Sequence, residues 1–172
     1  MLTRIYEGEF DKVFALMQES FPSDEYREKS EQFALFVEPE YSVYGIVNEN
    51  YGLNAFIAVW NFSEFLFVEH FAVKSQLRGQ GLGAKILQEV KEIFNKPLCL
   101  EVELPLTHNA ERRIEFYKRN AFYYNDYDYT QPPMSKGKNA LPLRIMTTEG
   151  NITKKQFKNI KNELYKKVYK VD

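Results

Sequence analysis

Residues 71–84, Phe71-Ala-Val-Lys-Ser-Gln-Leu-Arg-Gly-Gln-Gly-Leu-Gly-Ala84, constrain this chain more than any other segment. An apolar strand-like run passes through a short polar loop and opens directly into a helix-forming segment. Gly79, Gly81 and Gly83 sit at the turn, where a missing side chain lets ligand oxygens approach the backbone. The N–H groups of a helix's first turn lack partners within the helix, and together with the helix dipole they favour an anion. Arg78 adds a charged donor suited to phosphate oxygens. Strand, glycine loop and helix in this order describe a diphosphate cradle.

The same letters admit a rival. Gly79-Gln-Gly81-Leu-Gly-Ala84 satisfies the dinucleotide fingerprint G-x-G-x-x-G/A. Glu101 and Glu103 follow about twenty residues later, where that fold places its ribose carboxylate. Two features argue against an NAD(P)-binding oxidoreductase. The fingerprint's first glycine closes the strand itself, whereas Ser75-Gln76-Leu77-Arg78 intervenes here. The dinucleotide unit also needs further strand–helix repeats, and no complete second half fits in 172 residues.

That length suits one domain. The 14 Phe and 12 Tyr supply a large core and an aromatic-lined cleft. A net charge of −1 gives no global pull toward nucleic acid. The lone cysteine, Cys99, excludes an internal disulfide and reads as a small core residue. No signal-like leader and no apolar run of membrane-spanning length is visible, so a cytoplasmic protein without a membrane partner is expected.

Residues 2–6 read as a short strand. Phe10, Val13, Phe14, Met17 and Phe21 recur at helical spacing up to Pro22. Ser23 is placed to cap a second helix through about residue 36. Three strands follow, over 41–47, 53–62 and 64–74, with short connections that make an antiparallel meander. A helix over 81–95 and a strand over 97–104 then form a strand–helix–strand unit, read as a right-handed parallel crossover. A helix over 109–120, an aromatic strand over 121–130 and a last strand over 141–147 complete the domain. Past residue 148, Thr153-x-x-Gln156 is a capping box that opens a lysine-rich helix. Its stripe of Phe157, Ile160, Leu164, Val168 and Val171 is expected to pack on the domain or on a second copy, which keeps a homodimer open.

Gln76-x-x-Gly79-x-Gly81 resembles the acyl-CoA loop of the GNAT family of N-acetyltransferases. Asn109 followed by Phe116-Tyr117-Lys118-x-x-x-Phe122 resembles the family's Asn…Phe-Tyr-x-x-x-Gly-Phe segment, with Ala121 in place of glycine. The resemblance spans residues 2–147. It implies a mixed, mostly antiparallel central sheet flanked by helices, an α/β (α+β) fold over 1–148, with the amphipathic helix of 149–172 as an addition. It also implies acetyl-CoA as acyl donor. Phe71, Ala72 and Val73 would then bind the pantetheine arm through backbone groups. Gln76, Arg78, Gly79, Gln80, Gly81, Leu82, Gly83 and Ala84 would hold the pyrophosphate, and Asn109 would reach the pantetheine amide.

Acetyl transfer to an amine needs a proton acceptor, a polarised carbonyl and a proton donor for the departing thiolate. Tyr117 is the acid candidate, on the Phe-Tyr resemblance. Glu69 is the base candidate, four residues before Val73 on one face of the strand, unless a bulge changes the parity. Alternation sends His70 to the opposite face, as a core histidine. Glu101 and Glu103 share one face of the next strand and are candidates for binding the acceptor amine or replacing Glu69. Tyr129, among Tyr123, Tyr124, Tyr127, Asp126 and Asp128, is a candidate wall of the acceptor site, suited to an amine on a partly apolar body. Neither His70 nor His108 has a partner at ligand spacing, so no metal is expected. The activity implied is N-acetylation of a primary amine on a small molecule or peptide. A sensor of the same fold, binding acyl-CoA without turnover, is the alternative.

Overall fold

The computed structural model describes Met1–Asp172, and the chain divides into two units, Met1–Leu98 and Cys99–Asp172. The first contains β1 (Thr3–Ile5), α1 (Phe10–Ser20), α2 (Lys29–Ala34), β2 (Tyr41–Val47), β3 (Leu53–Asn61), β4 (Leu66–Val73) and α3 (Leu82–Phe94). Its strands pair antiparallel in the order β1-β2-β3-β4. The run Ala55-Phe-Ile-Ala-Val-Trp60 on β3 is apolar throughout, and every residue of it is buried. A strand covered on both faces needs such a run. Val13, Phe14, Leu16 and Met17 bury one face of α1, and Ile86, Leu87 and Val90 bury one face of α3.

Two departures from the sequence reading shape the site. Ser23 does not cap a long helix. Residues Ser23–Glu25 make one 3-10 turn, Tyr26 is extended, and α2 begins only at Lys29. The polar string is compatible with a helix locally, but the Arg27 side chain is drawn inward to an ion pair. Secondly, β4 carries a bulge. Ala58 pairs with His70 and Val59 with Val68, which leaves Glu69 as the extra residue. A bulge breaks strict alternation. Here both Glu69 and His70 turn toward residues 21–27, rather than to opposite faces of the strand.

The second unit contains β5 (Leu98–Glu103), α4 (His108–Arg119), β6 (Phe122–Gln131), β7 (Leu141–Thr148) and α5 (Lys154–Glu163). β7 pairs antiparallel with both β5 and β6. Asn125 pairs with Ile145 and Tyr129 with Leu143, so residues 126–128 loop out opposite Arg144 alone. Asp126 and Asp128 both bind that guanidinium, at 3.1 and 3.0 Å. Thr107 caps α4 by accepting from the Ala110 N–H, and Ala121 follows the helix at φ +65°. α5 opens with the expected capping box and runs on into a π turn over Leu164–Val168. It packs on this chain's own strands: Phe157 stacks on Tyr127 with ring centroids 4.8 Å apart, and Leu164 and Val168 are buried. Val171 lies past the turn and is exposed, so it drops out of the expected stripe. Elements and pairings give the mixed, mostly antiparallel α/β class that the sequence implied.

Candidate active site

The glycine loop forms as its residues dictate. After β4, Ser75–Leu77 make a 3-10 turn, and the chain enters α3 through Gly79 at φ +75° and Gly81 at φ +80°. Both angles are left-handed, a region in which side chains with a Cβ are strained. A Cβ built on either glycine would meet nothing within 4 Å, so the space in front of the loop is open. The first helical hydrogen bond runs from the Lys85 N–H to the Gly81 carbonyl at 3.1 Å. The N–H groups of Leu82, Gly83 and Ala84 thus form the first turn, whose donors lack intrahelical acceptors. Arg78 is exposed, and its Nε donates to the Val73 carbonyl at 3.0 Å, while Gln80 Nε2 donates to the Gln76 carbonyl. Open glycines, a helix N-terminus and an arginine beside them suit a diphosphate. Phe71 and Val73 are partly exposed on β4, and Ala72 is buried.

Just upstream, the bulge holds a buried polar network. Arg27 Nη1 lies 2.8 Å from Glu69 Oε1, with the two side chains 7% and 2% exposed. His70 Nδ1 lies 3.6 Å from Glu69 Oε2, and His70 Nε2 meets the Glu25 carbonyl at 2.7 Å. Phe21 packs edge-on against the imidazole. Burial alone would raise the Glu69 pKa, but the Arg27 charge and the His70 contact outweigh it and hold the carboxyl at about 2. Tyr41 completes the network: Gln32 Nε2 donates to its hydroxyl at 3.3 Å, and burial with the Glu69 charge holds its phenol strongly protonated.

In the second unit, α4 carries Asn109 exposed in its first turn and Tyr117 buried further along. The Tyr117 ring packs between Phe116 and Phe122. Burial raises its phenol to about 12 against the opposing charge of Arg113, so its proton is retained at neutral pH. Glu101 and Glu103 alternate with buried Leu100 and Val102, on one face as expected. Glu103 is partly exposed, 3.7 Å from Arg113. Glu101 is only partly exposed and accepts a hydrogen bond from the Tyr169 hydroxyl. Tyr129 is buried beside it, and burial and the Glu101 charge keep its phenol protonated. Cys99, buried on the same strand, has its thiol pushed up by burial and by Glu101. Asp126 and Asp128, expected near the tyrosines of the acceptor wall, are instead tied to Arg144. No group of His, Cys, Asp and Glu side chains is placed to hold a metal ion.

Sequence reasoning missed Arg27 and Tyr169. Arg27 stands in a polar stretch with no periodicity to single it out. Tyr169 falls off the apolar stripe, and only the π turn brings it inward.

The family model described as "Acetyltransferase (GNAT) family" matches residues 6–122. The chain is 34% identical over 109 residues to "Putative acetyltransferase YjbC" of Bacillus subtilis (strain 168). That match covers 62% of this chain and 54% of the relative, so the matched part spans about half the relative's length. Among solved structures, "Putative acetyltransferase from GNAT family from Bacteroides thetaiotaomicron" superposes with a TM-score of 0.89 at 32% identity, covering 100% of this chain and 99% of that one. The ribosomal-protein-S18-alanine N-acetyltransferase of Escherichia coli superposes with a TM-score of 0.66 at 16% identity, covering 89% and 95%.

Proposed function

This chain belongs to the GNAT acetyltransferase family, and on that premise we propose that it moves an acetyl group from acetyl-CoA to a primary amine of a small molecule or peptide by direct attack in a ternary complex. The observation that carries this reading is the loop from Gln76 to Ala84, with left-handed Gly79 and Gly81 open before the first turn of α3. Gln76, Arg78, Gly79, Gln80, Gly81, Leu82, Gly83 and Ala84 hold the pyrophosphate. Backbone groups of Phe71, Ala72 and Val73, with Asn109, hold the pantetheine arm. When bound, the donor supplies an activated thioester. The ammonium first releases one proton to water. The free amine nitrogen then forms the new C–N bond as the C–S bond breaks, and the second nitrogen proton ends on the departing sulfur, giving the amide and the CoA thiol.

Tyr117 donates a hydrogen bond to the departing sulfur, a task that a phenol protonated at neutral pH can perform. Glu69 takes an anchoring role in place of proton abstraction. A carboxyl at about 2, gripped by Arg27, is a weak proton acceptor for an ammonium. It fixes residues 21–28 against the bulge. Glu101 and Glu103 supply the negative charge that draws a cationic acceptor, and Tyr129 walls it.

Calorimetry with acetyl-CoA, CoA and NAD(H) tests the donor assignment, with Gly81→Glu as the disabled loop. Saturable acetyl-CoA binding, weakened at least about a hundredfold in the variant, is expected, because the new side chain brings both left-handed strain and a carboxylate to an anion site. NAD(H) binding without CoA binding would overturn it.

A further inference from the structure

Glu101 is surrounded by tyrosines from two elements far apart in sequence. Tyr129 comes from β6, and Tyr165 and Tyr169 come from the π turn and the residue after it. Tyr165 and Tyr169 are four residues apart, and their rings meet at 6.5 Å. Tyr129 and Tyr165 meet at 6.0 Å. All three lie beyond residue 122, where the family match ends.

The chemistry of this cluster is specific. The Tyr169 hydroxyl donates to Glu101 Oε1 and so stabilises the anion and fixes its direction. The Tyr165 hydroxyl donates instead to the Thr130 carbonyl, which leaves its ring face as what it offers the patch. One face already holds an alkylammonium: Lys161 Nζ stands 5.0 Å from the Tyr165 ring centroid. A carboxylate between aromatic rings combines an ionic contact with cation–π attraction, and this pairing selects substituted ammonium groups. The groups around Glu101 include the Cys99 thiol and the phenols of Tyr129 and Tyr165, all raised by burial and by its charge, and the Tyr169 hydroxyl, which donates to it.

We propose that the C-terminal helix completes an alkylammonium-recognition site on β5, in which Tyr169 positions the Glu101 carboxylate among the rings of Tyr129 and Tyr165; this rests on the amine-acetyltransferase reading above. Tyr169 is a positioning residue, and the site selects acceptors that carry a cationic group on an aliphatic chain.

Binding of spermidine to the whole chain is measured by calorimetry for the wild type, Glu101→Gln and Tyr169→Phe, with acetyl-CoA affinity and melting temperature recorded for each. Spermidine is expected to bind the wild type, about tenfold more weakly to Tyr169→Phe, and more weakly still to Glu101→Gln. Acetyl-CoA affinity stays constant across the three. Removing the phenol's hydrogen bond also shifts the acid limb of spermidine binding to higher pH in Tyr169→Phe, which loss of packing alone would not do. No spermidine binding by the wild type, equal binding by Glu101→Gln, or an unmoved pH limb in Tyr169→Phe overturns the site. Loss of acetyl-CoA binding by the wild type would instead overturn the donor reading, so the two failures are distinct.

Discussion

Removing the Arg27 guanidinium should expose how much of the fold depends on a charge buried at the β4 bulge. Arg27→Met keeps length and apolar bulk but leaves Glu69, whose side chain is 2% exposed, without its partner at 2.8 Å. Breaking one side of a buried pair costs about 3–5 kcal/mol, because the remaining charge is stranded. For a chain of this size about 1 kcal/mol moves the melting temperature by about 2–4 °C, so a fall of about 6–20 °C is expected at pH 7. His70, 3.6 Å from the carboxylate, offsets only part of this. The double variant Arg27→Met/Glu69→Gln has no stranded charge and should recover at least half of the loss. The pH dependence carries the sign. In the wild type the Glu69 pKa is depressed from 4.5 to about 2, so its stabilisation is present above pH 4.5 and is lost as pH falls through about 2. In Arg27→Met burial dominates and raises the carboxyl above its unfolded value. The penalty is then largest at neutral pH and shrinks as pH falls toward 4.5. Calorimetric melts of wild type, both single variants and the double variant between pH 7 and pH 4 test this. A single variant within about 1 kcal/mol of wild type, or a double variant no more stable than Arg27→Met, would refute the reasoning.

Tyr117→Phe should lower kcat about a hundredfold or more while acetyl-CoA affinity stays unchanged. Steady-state kinetics beside calorimetry checks this, and unchanged turnover would remove Tyr117 from the chemistry. Ala121→Gly relieves a left-handed residue at φ +65° and should raise stability by about 1 kcal/mol, or about 2–4 °C in a thermal melt.

The parts of this protein written in local patterns were legible. The loop from Gln76 to Ala84 joins a strand to a helix as its glycines require, and the capping box at Thr153 and Gln156 forms as spelled. The face shared by Glu101 and Glu103 follows from alternation, which holds along β5. What escaped depends on contacts between distant residues. No local signal places the bulge at Glu69, and without it His70 was assigned to the wrong side of β4. Ser23 to Lys29 has helical composition, but a single 3-10 turn forms there and Arg27 is turned inward to Glu69, a partner far along the chain. The looping out of residues 126–128 likewise accompanies a contact far along the chain, the pairing of Arg144 with Asp126 and Asp128. Tyr169 was hidden because a stripe read at 3.6 residues per turn cannot foresee a wider one.

The extra residue in β4 sets a trap for anyone who evolves this protein for heat resistance alone. Deleting Glu69 while replacing Arg27 by an apolar side chain would let β4 pair with β3 without interruption and would remove both desolvated charges from the interior. Replacing such an ion pair by apolar packing often leaves a protein equally or more stable. Thermal selection would therefore favour ironing the strand flat. It would also release residues 21–28 from their anchor and re-aim the side chains that lead into the glycine loop. Libraries screened for melting temperature should hold position 69 fixed, or a sturdier scaffold will emerge with its chemistry gone.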